Sequence, residues 1–111
     1  MHLICSVSDV EEGQSRGFEC DGKTLFVVKK DGALHTYLNR CPHLGIELEY
    51  REDEFLDDDG SLIQCSTHGA LFSIDAGDCL SGPCFGDRLT RANTRIENNK
   101  LYLLGFDEAL D

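Results

Sequence analysis

The 111-residue sequence contains no tryptophan, one methionine and two prolines, and it has no long apolar run. A helix that spans a bilayer needs about 20 consecutive apolar residues, so we expect no membrane segment. Residues 1–6 also lack the basic and apolar regions of an export signal, and we therefore expect a cytoplasmic protein. A chain of this length predicts a single domain over residues 1–111.

Basic residues are scarce as well, because ten lysines and arginines stand against 21 aspartates and glutamates, for a formal net charge of −11. The carboxylates are densest in residues 47–59, where Arg51 is the single basic residue. Such a surface repels nucleic acids and anionic membranes, and it favours a basic partner. Solubility alone is the competing explanation of this charge, and the two are compatible.

Helical periodicity is nearly absent and strand signals are frequent, which predicts an all-β domain of short antiparallel strands. Residues 24–30 and 33–39 flank Asp31 and Gly32, a pair typical of a tight hairpin turn. Together with residues 16–20, which precede another Asp-Gly pair, they predict a three-stranded meander. Further strands are predicted over residues 54–56, 62–65, 71–74, 89–96 and 100–104, and residues 107–111 are expected to fray or to form one helical turn.

Two short segments each combine one cysteine with one histidine: residues 41–43 (CPH), here called the first arm, and residues 65–68 (CSTH), the second arm. The first arm follows a predicted strand and the second begins at the end of one, so both have stiff supports. Pro42 restricts the backbone of the first arm. Gly45 and Gly69, shortly after the histidines, allow the backbone to turn tightly. Six cysteines without an export signal favour metal ligation over a disulfide scaffold.

The order of the ligands bears on the identity of the metal. Structural zinc sites commonly place two cysteines on one arm and two histidines or cysteines on the other. Here each arm is mixed, which suits a Rieske [2Fe–2S] centre, where both cysteines hold one iron and both histidines hold the other. Taken singly, each side chain could be an ordinary core cysteine or surface histidine. A structural zinc or mononuclear iron module remains an alternative, since the same four side chains could chelate one ion.

The sequences CPHLG and CSTHGALF resemble the signature of Rieske [2Fe–2S] proteins, and residues 81–83 (SGP) resemble the proline loop that covers the cluster in that family. The resemblance spans residues 24–104 and is to small stand-alone Rieske-type ferredoxins. It implies an antiparallel β-sandwich with a small cluster-binding tip, within about residues 40–86, formed by two loops and the proline loop. It also implies one [2Fe–2S] cluster per chain, with four ligands: Cys41, His43, Cys65 and His68.

Within that resemblance, some features are particular to this chain. Residues 44–64 separate the arms by more than in compact family members, which we attribute to an acidic hairpin around residues 57–60. High-potential members resemble one another in a serine and a tyrosine where this chain has Ala70 and Phe72, and in a disulfide between the arms that this chain lacks. Because hydrogen bonds to the cluster sulfurs raise the reduction potential, we expect a low one.

The remaining cysteines and histidines are expected to have other roles. Cys79 and Cys84 flank the proline loop and could form a disulfide, although two free thiols suit a reducing compartment better. Cys5 and Cys20 lie on predicted strands and are expected in the core. His2 and His35 have no partner motif, so we expect no functional role for them.

The resemblance implies a one-electron carrier without catalytic residues, with a flavin-dependent reductase and a terminal oxygenase as partners. No histidine follows His68, so a mononuclear iron site with two histidines and a carboxylate has no ligands, which argues against an enzyme. A small subunit of a larger oxidoreductase, such as a nitrite-reductase-like complex, remains an alternative. The oligomeric state is left open. An apolar collar for docking is expected from Leu44, Leu71, Pro83 and Phe85.

Overall fold

The computed structural model describes residues 1–42, 47–48, 53–66, 69–82 and 86–107. In these residues the chain is built almost entirely from strands, with a 3-10 helix at Val7–Asp9. No helix in the described ranges is long and apolar enough to cross a membrane. The strands are β1 (His2–Ser6), β2 (Ser15–Cys20), β3 (Lys23–Lys30), β4 (Ala33–Leu38), β5 (Ile63–Gln64), β6 (Leu71–Phe72), β7 (Cys79–Ser81), β8 (Ala92–Glu97) and β9 (Lys100–Phe106).

The strands form three small antiparallel sheets, with the orders β1-β9-β8, β2-β3-β4 and β5-β6-β7. The predicted all-β class and the predicted meander, which is the β2-β3-β4 sheet, are both confirmed. The acidic hairpin is present in reduced form, because Leu56 pairs with Ile63 as an isolated bridge rather than within a longer ladder.

Some predicted strand limits differ from the structure. The strand predicted over residues 71–74 ends at Phe72, and the one predicted over residues 89–96 begins at Ala92. Strand β9 continues to Phe106, whereas the fraying or helical turn expected for residues 107–111 falls mostly outside the described residues. Strand β7 was not predicted, since three residues are too few to show an alternating pattern.

The turn between β3 and β4 shows why the meander forms. Asp31 and Gly32 have φ angles of 52° and 79°, the left-handed pair required by the tight turn that matches strand twist. The Glu12 carboxylate accepts hydrogen bonds from the backbone N–H groups of both turn residues, at 2.7 and 2.8 Å. These backbone hydrogen bonds hold the pKa of Glu12 below its usual value, since they stabilise the charged form.

Strand β3 separates two buried cores. Its four consecutive apolar residues are all fully buried, because both faces of the strand are covered. Side chains of adjacent strand residues point to opposite faces. Phe26 and Val28 therefore join one core, here called the arm-side core, and Leu25 and Val27 join the other, here called the terminal core. The arm-side core also contains Tyr37, Cys41, Leu48, Phe55, Ile63, Cys65, Ala70, Phe72, Ile74, Cys79 and Leu89, and the terminal core contains Ile4, Cys5, Val10, Cys20, Ala92, Leu101 and Leu103.

Candidate metal centre

The first arm begins three residues after β4 ends, and Cys41 is only 1% exposed. The backbone before it is fixed on both sides. The Leu38 N–H donates to the Thr90 carbonyl and the Asn39 N–H to the Thr24 carbonyl, both at 2.9 Å. The expectation that the first arm follows a strand is confirmed. His43 lies outside the described residues.

The second arm begins directly after β5, and Cys65 is also 1% exposed. The Cys65 N–H donates to the Ala70 carbonyl at 2.8 Å, and the Gly69 N–H donates to the Cys65 carbonyl at 2.9 Å. Gly69 has a φ of 66°, a conformation that strongly favours glycine. The arm is therefore a tight loop closed at its base by Cys65 and Ala70. His68 lies outside the described residues, as does Gly45 of the first arm.

The loop after β7 packs against Ala70, two residues after the second arm. A Cβ on Gly82 would lie 2.8 Å from the Ala70 Cα, so the two backbones can approach this closely only with glycine at position 82. Ser81 is paired with Leu71 in the β6–β7 ladder, which holds this approach in place. The third loop of the expected tip thus contacts, through Gly82, the residue that closes the loop of the second arm, Ala70. Pro83, Cys84 and Phe85 lie outside the described residues.

Three aromatic rings lie in the arm-side core together with Cys41 and Cys65. Phe26 of β3 stacks on Phe55 with centroids 4.4 Å apart, and it lies 5.8 Å from the Tyr37 ring. The Tyr37 hydroxyl donates to the Ile74 carbonyl at 2.5 Å, which joins β4 to the segment after β6. Burial raises the pKa of Tyr37, since the phenolate would lose its hydration. All three rings are fully buried and exclude water from the arm-side core.

A family model described as the Rieske [2Fe-2S] domain matches residues 1–96 of this chain. The chain belongs to the Rieske [2Fe-2S] domain family. The family implies one [2Fe–2S] cluster per domain, which confirms the cofactor predicted from the sequence.

Individual relatives of the Rieske chain differ in size. Apoptosis-inducing factor 3 of Homo sapiens is 32% identical over 111 residues, which cover 96% of this chain and 17% of that protein. The ferredoxin component of the naphthalene 1,2-dioxygenase/salicylate 5-hydroxylase systems of Ralstonia sp is 28% identical over 97 residues, which cover 87% of this chain and 88% of that protein. The chain thus spans a small part of one relative and most of the other.

A solved structure shares the fold. The ferredoxin of carbazole 1,9a-dioxygenase from Nocardioides aromaticivorans IC177 matches with a TM-score of 0.73 and 17% identity, over 91% of this chain and 93% of that chain. The Rieske-like antiparallel β-fold predicted from the sequence is therefore confirmed.

The described residues fit the cysteine half of a Rieske centre. Cys41 and Cys65 come from different arms, and both are buried in the same core. In a Rieske centre two cysteine thiolates hold the same iron, so two cysteines from different arms in one core match that half of the centre. Among the residues the structure describes, no group of three or more His, Cys, Asp or Glu side chains is arranged to hold a metal ion. His43 and His68, the other two donors expected from the sequence, lie outside the described residues.

Two other cysteines of the Rieske chain lie in the terminal core, and their thiols have raised pKa values. Cys5 and Cys20 belong to the terminal core, as expected. Burial, helped by the nearby Asp9 carboxylate, raises the pKa of the Cys5 thiol to about 11, and burial also raises the pKa of Cys20. Both thiols are therefore held neutral and unreactive at neutral pH. Cys79 lies in the arm-side core, and the question of a disulfide with Cys84 falls outside the described residues.

His2 and His35, for which the sequence predicts no functional role, lie on β1 and β4. His2 is exposed and lies 3.5 Å from the Asp21 carboxylate. His35 is partly buried on β4, where burial and then the nearby Arg91 guanidinium lower the pKa of the imidazole. Neither belongs to the arms.

An acidic groove runs beside the second arm. Asp53, Asp57, Asp58 and Asp59 line it, and Ser66, the residue after Cys65, forms part of the same wall. Asp53 fixes this segment to β2, because its side chain accepts a hydrogen bond from the Gly17 N–H at 2.8 Å. The acidic segment noted in the sequence is thus adjacent to the candidate centre.

One residue of the site was missed by sequence reasoning. Asn39 is 5% exposed, and its Oδ1 accepts a hydrogen bond from the Leu48 N–H at 2.9 Å. The Leu48 carbonyl in turn accepts a hydrogen bond from the Ser66 N–H at 2.9 Å. The available signal was weak: a polar residue at the end of a predicted strand, two positions before a candidate ligand.

Proposed function

We propose that this chain is a one-electron carrier, not an enzyme, and that it holds its [2Fe–2S] cluster through Cys41, Cys65, His43 and His68. The observation that carries the proposal is that two cysteines from separate arms are buried together in one core. The chain forms one domain over residues 1–111 in this proposal, with the cluster-binding portion at about residues 40–86.

The bound cluster would supply the capacity to accept and release a single electron. The protein's part is to bind, orient and shield. Cys41 and Cys65 follow strand ends, and they are buried in the same core as the three aromatic rings. Leu71, the one described residue of the proposed apolar collar, is partly exposed beside the second arm, where a partner could dock.

We propose a flavin-dependent reductase as electron donor and a terminal oxygenase as acceptor. The support is the relative from Ralstonia sp, a ferredoxin component of dioxygenase and hydroxylase systems whose length this chain nearly matches. The acidic groove beside the second arm favours a basic docking surface on either partner. We place the protein in the cytoplasm, which the neutral, buried thiols of Cys5 and Cys20 suit.

We also propose a low reduction potential, near the lower end of the Rieske range of roughly −150 to +300 mV. Ala70 and Phe72 are buried beside Cys65, and neither side chain can donate a hydrogen bond to a cluster sulfur. A midpoint in the upper half of that range, measured by titration of the purified protein, would contradict the proposal.

A second candidate function is that of a cluster-bearing part of a larger oxidoreductase. One observation favours it: the chain spans 17% of apoptosis-inducing factor 3, so this domain also occurs within a much longer polypeptide. Size-exclusion chromatography of the protein from its native source separates the two candidates. A free carrier elutes at the size of the chain, whereas a subunit co-elutes with a larger partner.

The proposed function is tested by measuring iron, acid-labile sulfide and zinc in the purified protein, with an EPR spectrum after reduction by dithionite. We expect about two irons and two sulfides per chain and a rhombic spectrum typical of mixed histidine and cysteine ligation. Stoichiometric zinc without sulfide, persisting after anaerobic reconstitution with iron and sulfide, would show that the chain is a structural metal module instead.

A further inference from the structure

Asn39 connects the two arms through a short path of hydrogen bonds. Its backbone is tied to β3 by the hydrogen bond from its N–H to the Thr24 carbonyl. Its side-chain oxygen receives the Leu48 N–H, and the Leu48 carbonyl receives the Ser66 N–H. Asn39 lies two residues before Cys41, and Ser66 directly follows Cys65. We call this the Asn39–Leu48–Ser66 path.

Two residues of this path are buried, so their polar groups need hydrogen-bond partners within the protein. Leu48 is fully buried and Asn39 nearly so. A buried N–H without an acceptor loses its hydration and gains nothing in return, so the Leu48 N–H depends on the Asn39 oxygen. The apolar Leu48 side chain lies in the arm-side core together with Cys41 and Cys65. Backbone and side chain of Leu48 therefore fix the segment between the arms on the same core that holds both thiols.

The path is formed by the protein alone and does not pass through any ligand side chain. It therefore fixes the spacing of the arms independently of what they bind. Pre-positioned ligands bind with a smaller loss of conformational entropy than ligands that must be ordered on binding. The segment needs this support because residues 44–64 are a long connection between two ligand-bearing loops.

From these contacts we infer that Asn39 is a positioning residue for the [2Fe–2S] centre, which holds Cys41 and Cys65 at their working separation through Leu48 and Ser66. This inference rests on the proposed function, and it adds to it a residue that binds no iron. Loss of the Asn39 acceptor frees the Leu48 segment, and the second arm then moves relative to the first. The cluster then has looser ligands, and it is lost more readily.

Three variants separate positioning from general stability. Asn39→Leu has a similar size and no acceptor, whereas Asn39→Asp keeps an oxygen that can receive the Leu48 N–H. Thr36→Val is the matched control, because Thr36 is also a buried polar residue of the β4 region. Its hydroxyl has no hydrogen-bond partner among the described residues, so it supports neither arm.

The readouts are amide hydrogen exchange in peptides containing Leu48 and Ser66, the rate of cluster loss to a chelator, and the EPR g-values. For Asn39→Leu we expect exchange and cluster loss faster by roughly tenfold, with shifted or broadened EPR lines. Asn39→Asp should restore most of the wild-type exchange and retention, and Thr36→Val should match the wild type in all three. If Asn39→Leu does not accumulate as folded protein, Asn39→Ala, which also lacks the acceptor, is measured in its place.

The inference is overturned if the variants that lack the acceptor exchange and retain the cluster like the wild type, or if Asn39→Asp is as defective as Asn39→Leu. Failure of the proposed function is seen separately, in the iron and sulfide content of the wild-type protein. The exchange rates at Leu48 and Ser66 report on the path whatever metal the arms hold.

Discussion

The two cores on either side of β3 both contain buried cysteines, yet these cysteines differ in what holds them. In the terminal core, Cys5 lies within β1 and Cys20 ends β2, so their positions are set by ladder hydrogen bonds. In the arm-side core, Cys41 and Cys65 follow strand ends and are set by loops. Burial is therefore common to both pairs of cysteines, and what distinguishes the pairs is their place within a strand or after one.

The largest expected effect comes from replacing one cysteine of each core by alanine and comparing the two variants. Cys65→Ala should abolish binding of iron and sulfide, since it removes a thiolate donor from the centre. Cys20→Ala, the matched change in the terminal core, should leave the iron and sulfide content unchanged. Elemental analysis and visible absorbance measure both. A cluster that persists in Cys65→Ala would contradict the role of Cys65 as a ligand. A cluster that is lost from Cys20→Ala would contradict the assignment of Cys20 to the core without a ligand role.

A second test uses two neighbouring residues of β3 that face opposite cores. Val27→Ala and Val28→Ala each leave a cavity, at a cost of about 2 kcal/mol in the free energy of unfolding. Val28 lies in the same core as Cys41 and Cys65, so its truncation should also speed cluster loss to a chelator severalfold, whereas Val27→Ala should not. Urea unfolding and chelator kinetics provide the measurements. Equal cluster-loss rates in the two variants would show that a cavity in the terminal core affects the cluster as much as a cavity in the arm-side core.

The third prediction concerns pH and the terminal core. Burial raises the pKa of Cys5 to about 11, from about 9 in the unfolded chain. The folded protein therefore retains the thiol proton longer, and its stability is unaffected below pH 9 but falls as the pH rises from 9 to 11. We expect the loss to be about 2 kcal/mol.

Comparing denaturant unfolding of the wild type and Cys5→Ala isolates this effect, because other titrating groups contribute equally to both. The wild type should lose more stability than the variant over that pH interval. Parallel pH profiles would indicate that the Cys5 thiolate is tolerated in the terminal core.

The smallest effect is expected from surface charge. The double variant Asp58→Lys/Asp59→Lys should slow oxidation of the reduced cluster by hexaamminecobalt(III), a cationic outer-sphere oxidant, by severalfold at low ionic strength. At high salt the difference should nearly vanish because of screening. Glu19→Lys/Asp107→Lys changes the net charge equally at exposed sites outside the acidic groove, and it should have the smaller effect. Equal slowing by both variants would show that the groove acts only through the net charge of the protein.

The sequence was sufficient for the features that depend on neighbouring residues. Asp31 and Gly32 require left-handed conformations in a tight turn, so the β3–β4 hairpin was predictable. The arms were predictable because each carries its cysteine and histidine within a few residues. The fold class and the family predicted from them are confirmed, whereas the four-ligand set stays a prediction.

Features that depend on distant contacts could not be predicted. Strand β1 could not be delimited, since it exists through pairing with β9 at the other end of the sequence. The buried run of β3 has no alternation, so the sequence does not show which residues face which core. Asn39 was missed because its partner is a backbone N–H across the loop between the arms, and backbone groups leave no trace in the pattern of side chains.

The pairing of β1 with β9 places both ends of the described fold in one sheet, whose core lies on the opposite face of β3 from Cys41 and Cys65. At the end of the described fold, the Asp107 N–H donates to the Arg91 carbonyl at 2.9 Å, and Arg91 forms an isolated bridge with Tyr37 of β4. A polypeptide that followed residue 107 would therefore leave the fold beside the strand that leads into the first arm.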